Sequence, residues 1–270
     1  MLKIISEIGW NHMGSMELAK KMIIESKNSG ADFAKFQTWK VKNLKKGPWD
    51  DDGRIDIYRK SELSENQHYE LKDFCQKNKI EFLTSIFNIN DIKFLKELKL
   101  QYIKIPSHEI YNKNLIKKSI ESFPNVLIST GASLWREILD LIKEFGKKNI
   151  IYMHCTSAYP CNAENINFPR FIELKKKVET IGYSGHFNGI DDAKIAISLG
   201  AKFVEKHFTI DKELPGRDNK FAILPPDLKN LCEFRDNYLK MTEDKGLDLQ
   251  DCEKDIFKNY RGRWNKDGKI

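Results

Sequence analysis

Residues 178–186 read V-E-T-I-G-Y-S-G-H, and residues 201–209 read A-K-F-V-E-K-H-F-T. Each is a short, mostly apolar run that carries a histidine at its end, His186 or His207. Between them, Asp191 to Leu199 has helical spacing and stops at Gly200. The stretch therefore reads as strand, helix, strand, with both imidazoles at the carboxyl ends of their strands. In parallel α/β folds that edge carries the chemistry. Two neutral imidazoles converging there can hold a divalent metal ion.

The same rhythm runs outward along the chain. Strand-like runs cover 3–11, 31–39, 81–87, 102–107, 125–131 and 150–159. Helical patterns cover 15–30, 64–79, 91–99, 114–122, 133–147 and 168–177, and a last helix runs from Pro225 to Met241. Ser15 is the expected N-cap of the first helix and Gly30 its stop. The longest connection, 40–62, holds Gly47, Pro48 and three consecutive aspartates, and reads as a lid or insertion. Eight strand–helix units in roughly 240 residues predict an α/β fold, a (β/α)8 TIM barrel over 1–242. A charged C-terminal extension over 243–270 reads as a surface extension or a partner-contacting arm. The alternative is an open doubly wound sheet. It would carry a glycine-rich first turn, and Trp10-Asn11-His12-Met13-Gly14 is not G-x-G-x-x-G.

Composition narrows the function. The 270 residues carry a net charge of +7, spread over helical lysines such as Lys20, Lys21, Lys117 and Lys118. There is no basic block interleaved with aromatics, which argues against nucleic acid and for an anionic metabolite. No apolar run approaches the ~20 residues of a membrane span. The five cysteines lack C-x-x-C spacing, which suits reduced thiols and a cytoplasmic protein. Cys155 reads as a small residue in a buried strand rather than a nucleophile.

A barrel predicts that polar groups collect where strands meet the following loops. They do so at Glu7, Asn11, Lys35, Gln37, Thr84, Ser85, Lys104, Ser107, Glu109, Ser129, His154, Thr156, Ser157, Tyr159, Ser184, Glu205 and Lys206. Lys35 and Lys104 sit inside apolar strands, so each requires an anionic partner or a lowered pKa. With the surrounding hydroxyls they describe a phosphate or carboxylate cradle. Glu7, Glu109 and Asp218 are available for proton transfer or hydroxyl binding. The pattern points to metal-assisted carbon–carbon bond chemistry on a phosphorylated acid. Two alternatives remain: a Schiff-base aldolase using Lys35 or Lys104, and a sugar- or phosphate-binding barrel without turnover.

The chain resembles the sialic acid synthase family. The resemblance rests on E-I-G-W-N-H-M-G (7–14), G-A-D-F-A-K-F-Q-T (30–38), Y-I-K-I-P-S-H-E (102–109), L-I-S-T-G (127–131), H-C-T-S-A-Y-P (154–160), G-Y-S-G-H (182–186), G-A-K-F-V-E-K-H-F-T (200–209) and L-P-G-R-D (214–218). It implies condensation of phosphoenolpyruvate with an N-acetylated amino sugar and release of phosphate, giving a nonulosonic acid. It implies a divalent ion, Mn2+ with Mg2+ or Co2+ as alternatives, on His186 and His207. It assigns phosphoenolpyruvate to Lys35, Ser85, Lys104, Ser107, Ser129, Ser157 and Ser184, and the sugar to Gln37, Glu109, Tyr159 and Asp218. Glu7 becomes an acid/base group, and the assembly a homodimer. Departures are Ile86 and His108, for a usual proline and glycine, and Gly185 and Arg217, for a usual aspartate and proline. The family's antifreeze-like domain has no counterpart in this sequence. Its arginine is then missing, supplied by a separate antifreeze-like chain, or replaced by Arg217.

Overall fold

The computed structural model describes residues 2–48, 50–146 and 148–264. Eight parallel strands close on one another in chain order: β1 (Lys3–Glu7), β2 (Phe33–Thr38), β3 (Glu81–Ile86), β4 (Tyr102–Ile105), β5 (Asn125–Ser129), β6 (Ile150–Cys155), β7 (Thr180–Gly185) and β8 (Phe203–His207). The helices are α1 (Met16–Asn28), α2 (Arg54–Ser61), α3 (Glu65–Lys77), α4 (Ile92–Glu97), α5 (Lys113–Ser122), α6 (Trp135–Phe145), α7 (Phe168–Lys175), α8 (Asp191–Ser198) and α9 (Pro225–Met241). Ser15 caps α1 by accepting the Leu18 N–H at 3.1 Å, as expected. Ser64 and Gln67 form a capping box on α3.

Alternation along each strand separates inside from outside. Ile5, Phe33, Leu83, Leu127, Ile151, Met153 and Phe203 fill the lower interior as one buried cluster. Two residues further along, the same inward faces turn polar: Glu7, Lys35, Ser85, Ser129, Cys155 and Glu205. The apolar plug makes the barrel a core rather than a pore, and it forms the floor of the polar layer.

Several expectations are corrected. The strands are shorter than the apolar runs, so Asn11, Ser107, Glu109, Thr156, Ser157 and Tyr159 lie on the following loops. Alternation also turns some polar residues away from the interior. Thr84 bonds Thr38 at 2.8 Å, and His154 meets the Ile166 carbonyl at 2.7 Å. Lys206 reaches Asp192 of α8. The connection 40–62 is not a plain loop: it contains α2, whose Tyr58 ring packs against Trp10 at 5.0 Å and Trp39 at 5.2 Å. Tertiary packing, with no apolar periodicity to announce it, makes this helix. Lys147, the expected end of α6, and residues 265–270 of the extension lie outside the described residues.

Compactness divides the chain into Met1–Arg235 and Asp236–Ile270. Within the second unit, Asp251–Glu253 is a 3-10 turn and Ile256–Tyr260 a π turn. There Arg261 stacks over Phe257 at 4.7 Å and Arg263 over Tyr260 at 5.3 Å. Among the described residues no helix is long and apolar enough to cross a membrane.

Candidate active site

Strand register brings the site together. Glu7 stands beside Lys35 on one side and His207 on the other. Gln37 is level with Ser85, Ser85 with Lys104, and Ser184 with Glu205. The ammonium of Lys35 lies 2.6 Å from Glu7 Oε2 and 3.6 Å from Glu205 Oε1. It also donates to Ser85 Oγ at 2.9 Å. Lys104 donates to Glu205 Oε2 at 2.8 Å. Ser184 Oγ donates to Glu205 Oε1 at 3.2 Å, and the Gln37 amide donates to Glu7. All four charged groups are buried.

The two expected lysines are therefore in one buried cluster, and each already has a carboxylate. Glu205 is the residue that the site assignment from sequence left out. Its signal was present: it lies two positions before His207 on the same strand and must share its inward face. Burial opposes its charge, yet Lys104 and Lys35 push its pKa down to about 2. Burial also opposes the charge of Lys35, but Glu205 and Glu7 outweigh it and raise its pKa. Lys104 is lowered by burial and by the nearby Lys35 charge, with Glu205 opposing. Glu7 is raised by burial, against the pull of Lys35. Glu205, facing two ammonium groups, is thus shifted down, and Glu7, buried beside one, is shifted up.

Hydroxyls also gather in an arc at the carboxyl ends of β4, β5 and β6. Ser107 and Ser157 Oγ are 2.8 Å apart, and Ser129 Oγ is buried without a hydrogen-bond partner. Gly131 closes the arc. A Cβ there would sit 2.2 Å from Ser157 Oγ, so only glycine lets the β5 loop approach this closely. An unsatisfied buried hydroxyl at the end of a strand is suited to an anion's oxygen.

The histidines open at the same end. The His186 and His207 rings are 5.3 Å apart, centroid to centroid. His186 Nδ1 is 2.8 Å from the Thr156 carbonyl, and His207 Nδ1 is 3.2 Å from Asp218 Oδ2. Burial, then the adjacent His207, lowers the His186 pKa to about 3, which keeps this imidazole neutral. The carbonyl facing His186 Nδ1 is an outer partner of the kind that orients a metal-ligating imidazole and leaves Nε2 to bind; His207 Nδ1 lies within ion-pair reach of Asp218 but makes no hydrogen bond to it. The pair fits two positions of a divalent ion. No group of three or more His, Cys, Asp or Glu with ligand geometry occurs among the described residues, so water or substrate oxygens would complete the set.

The Tyr159 ring packs at a tilt against His186, 4.1 Å between centroids, and leaves about half its surface exposed (51%). It precedes a cis bond to Pro160. Glu109 stands apart at the rim, 3.5 Å from Asn112 Nδ2. His108 is exposed beside it, its ring 5.1 Å from Phe87. Arg217 Nη1 is 3.0 Å from Asp52, which also holds Arg54 at 3.0 Å. Cys155 is buried with its pKa raised to about 11 by burial, which fits an unreactive thiol.

The model of the NeuB family matches residues 22–246. Among curated proteins, the chain is 38% identical over 246 residues to an N,N'-diacetyllegionaminic acid synthase of Campylobacter jejuni, covering 85% of this chain and 74% of that protein. It is 33% identical to a Legionella pneumophila protein of the same name, covering 85% and 70%. Among solved structures, it resembles an N-acetylneuraminic acid synthetase of Leptospira borgpetersenii in complex with citrate. That match has a TM-score of 0.86 and 30% identity, and covers 97% of this chain and 93% of the other.

Proposed function

Because this chain belongs to the NeuB family, we propose that it is a phosphoenolpyruvate-dependent nonulosonic acid synthase, acting on an N-acetylated amino sugar and releasing phosphate. The observation that carries this reading is the Glu7–Lys35–Glu205–Lys104 cluster, which opens at the same barrel end as His186 and His207. Lys35, Lys104 and the hydroxyls of Ser85, Ser107, Ser129, Ser157 and Ser184 hold the phosphate and carboxylate of phosphoenolpyruvate. Gln37, Glu109, Tyr159 and Asp218 face the sugar.

The reaction joins the methylene carbon of phosphoenolpyruvate to the aldehyde carbon of the open-chain sugar. Water then adds to the carbon that bore the phosphate, and the carbon–oxygen bond to phosphate breaks. A divalent ion on His186 and His207, Mn2+ in our reading with Mg2+ or Co2+ as substitutes, supplies Lewis acidity toward the aldehyde. Glu7, buried beside Lys35, is the acid/base group: it gives a proton to the new hydroxyl group and takes one back from the attacking water. Glu205 holds both buried ammonium groups in place through its contacts at 2.8 and 3.6 Å, and the ammonium groups face the anionic phosphate and carboxylate of the substrate and the departing phosphate.

A Schiff-base aldolase needs a free amine, and both lysines instead meet carboxylates, Lys35 at 2.6 Å from Glu7 and Lys104 at 2.8 Å from Glu205; burial lowers the pKa of Lys104, so borohydride trapping is the test that separates the two readings. A binding barrel without turnover does not account for the similarity to named synthases. The family resemblance also supports a homodimer, with the 243–270 extension as a contact arm, and a cytoplasmic location.

The test is incubation with Mn2+, phosphoenolpyruvate and hexosamines bearing one or two acetamido groups, alone and with a separate antifreeze-like chain. Phosphate release that needs both substrates and stops with EDTA is expected. Release from no sugar, or trapping of pyruvate by borohydride with activity intact in EDTA, overturns the reading. Light scattering that gives a monomer overturns the dimer.

A further inference from the structure

Lys206 lies on the opposite side of the sheet from the metal-binding candidates. It neighbours His207 on β8, points outward, and is 2% exposed. Its ammonium uses all three donors: 3.1 Å to Asp192 Oδ1, 2.9 Å to Asp192 Oδ2, and 2.8 Å to the backbone carbonyl of Phe187. Asp192, in the first turn of α8, also accepts from the Tyr183 hydroxyl at 2.9 Å.

Phe187 follows His186 directly. The last register pair between β7 and β8 is Gly185 with Lys206. His186 therefore lies beyond the ladder that would tie it to β8, whereas His207 is still in register with Glu7 of β1. The His186 carbonyl accepts from Cys161 N–H at 2.9 Å, which ties it toward the β6 loop. The bond from Lys206 to Phe187 is the polar tie from β8 to the chain next to His186.

Gly185 makes this arrangement possible. A Cβ there would sit 2.3 Å from Asp192 Oδ2 and 2.5 Å from the Tyr183 ring. A buried ion pair is weak evidence for stability, because desolvation offsets much of the attraction. Holding a geometry is the better-founded use of such a pair.

We propose that Lys206 is a positioning residue: held by Asp192, its ammonium pins the Phe187 carbonyl and so sets the spacing between His186 and His207. The proposal rests on the divalent-metal reading of that pair. Outer partners of metal ligands typically change affinity by about 10- to 100-fold when removed.

The test compares Mn2+ binding by calorimetry, and by the electron-spin signal of free Mn2+, for wild type and three variants. K206M removes the tie but leaves Asp192 buried and unpaired. The double variant D192N/K206M removes both charges and keeps an acceptor for Tyr183, so it remains informative if the single variant does not fold. Y183F disturbs the same buried cluster without touching the tie. The expected result is a Kd for Mn2+ about tenfold or more weaker in K206M and D192N/K206M. Y183F should bind Mn2+ as wild type does, and phosphoenolpyruvate should bind all three alike in the absence of metal. A double variant within twofold of wild type, or an equal loss in Y183F, overturns the inference while leaving the metal reading intact. Wild-type protein that binds no Mn2+ overturns the metal reading, and the inference with it.

Discussion

Replacing Glu205 by glutamine is the sharpest perturbation of the inner site. The carboxylate serves two buried ammonium groups, at 2.8 Å for Lys104 and 3.6 Å for Lys35. At an effective dielectric of about 20, the closer contact alone is worth roughly 6 kcal/mol before desolvation is counted. Glutamine avoids burying a charge, which returns part of that. The net loss for removing one member of a buried pair is about 3–5 kcal/mol, or very roughly 10 °C in Tm for a chain of this size. The variant has one escape. Lys104, already lowered by burial and by Lys35, can shed its proton.

The sign of the pH dependence follows. A lysine with a depressed folded pKa binds fewer protons folded than unfolded, so stability rises with pH until the ordinary lysine value is reached. The deficit of E205Q should therefore be largest near neutrality and shrink toward pH 9.5. Inorganic phosphate should stabilise the variant more than wild type, because an anion restores the missing charge. Urea denaturation at both pH values, with and without phosphate, reads all three effects. A variant within about 0.5 kcal/mol of wild type at pH 7, unchanged at pH 9.5, would refute the bridging role of Glu205; effects below that size are ordinary for substitutions without a structural role.

Acid should destabilise the fold early. Burial lowers the pKa of His12, His68 and His154 to about 4 and, with His207, that of His186 to about 3. Each contributes stability that is present above its unfolded value of 6.5 and lost as pH falls toward the folded value, at roughly 1.4 kcal/mol per pH unit. Denaturant midpoints that stay level from pH 7 to 5 would contradict this. Gly131→Ala should displace the Ser157 hydroxyl, raising KM for phosphoenolpyruvate about tenfold and costing about 1–3 kcal/mol; unchanged KM would show that the hydroxyl arc does not hold this substrate. Mn2+ should raise the wild-type Tm and leave that of H186A or H207A unmoved. A persisting shift in both variants would place the ion elsewhere.

How much of this was legible differs from residue to residue. The barrel was readable because buried parallel strands are apolar runs, and eight of them separated by helical patterns permit few other folds. Lys35, Lys104, His186 and His207 were readable because a charge or imidazole in an apolar strand is costly unless used. The helix α2 was not, because its residues become helical by packing Tyr58 between Trp10 and Trp39. Glu205 and Lys206 are adjacent in sequence and both buried; alternation tells their faces apart, but not which groups each one meets.

Periodicity and composition alone determined the architecture, the catalytic end of the barrel and the kinds of group gathered there, since these depend on local pattern and on what burial tolerates. Only the tertiary structure decided which charge meets which. It set Glu205 between two lysines inside the barrel, and Lys206 against Asp192 and the Phe187 carbonyl outside it. The reason is that a strand assigns neighbouring side chains to opposite faces, while the partners on each face come from segments far away in the chain, brought level only by the closed register of the sheet.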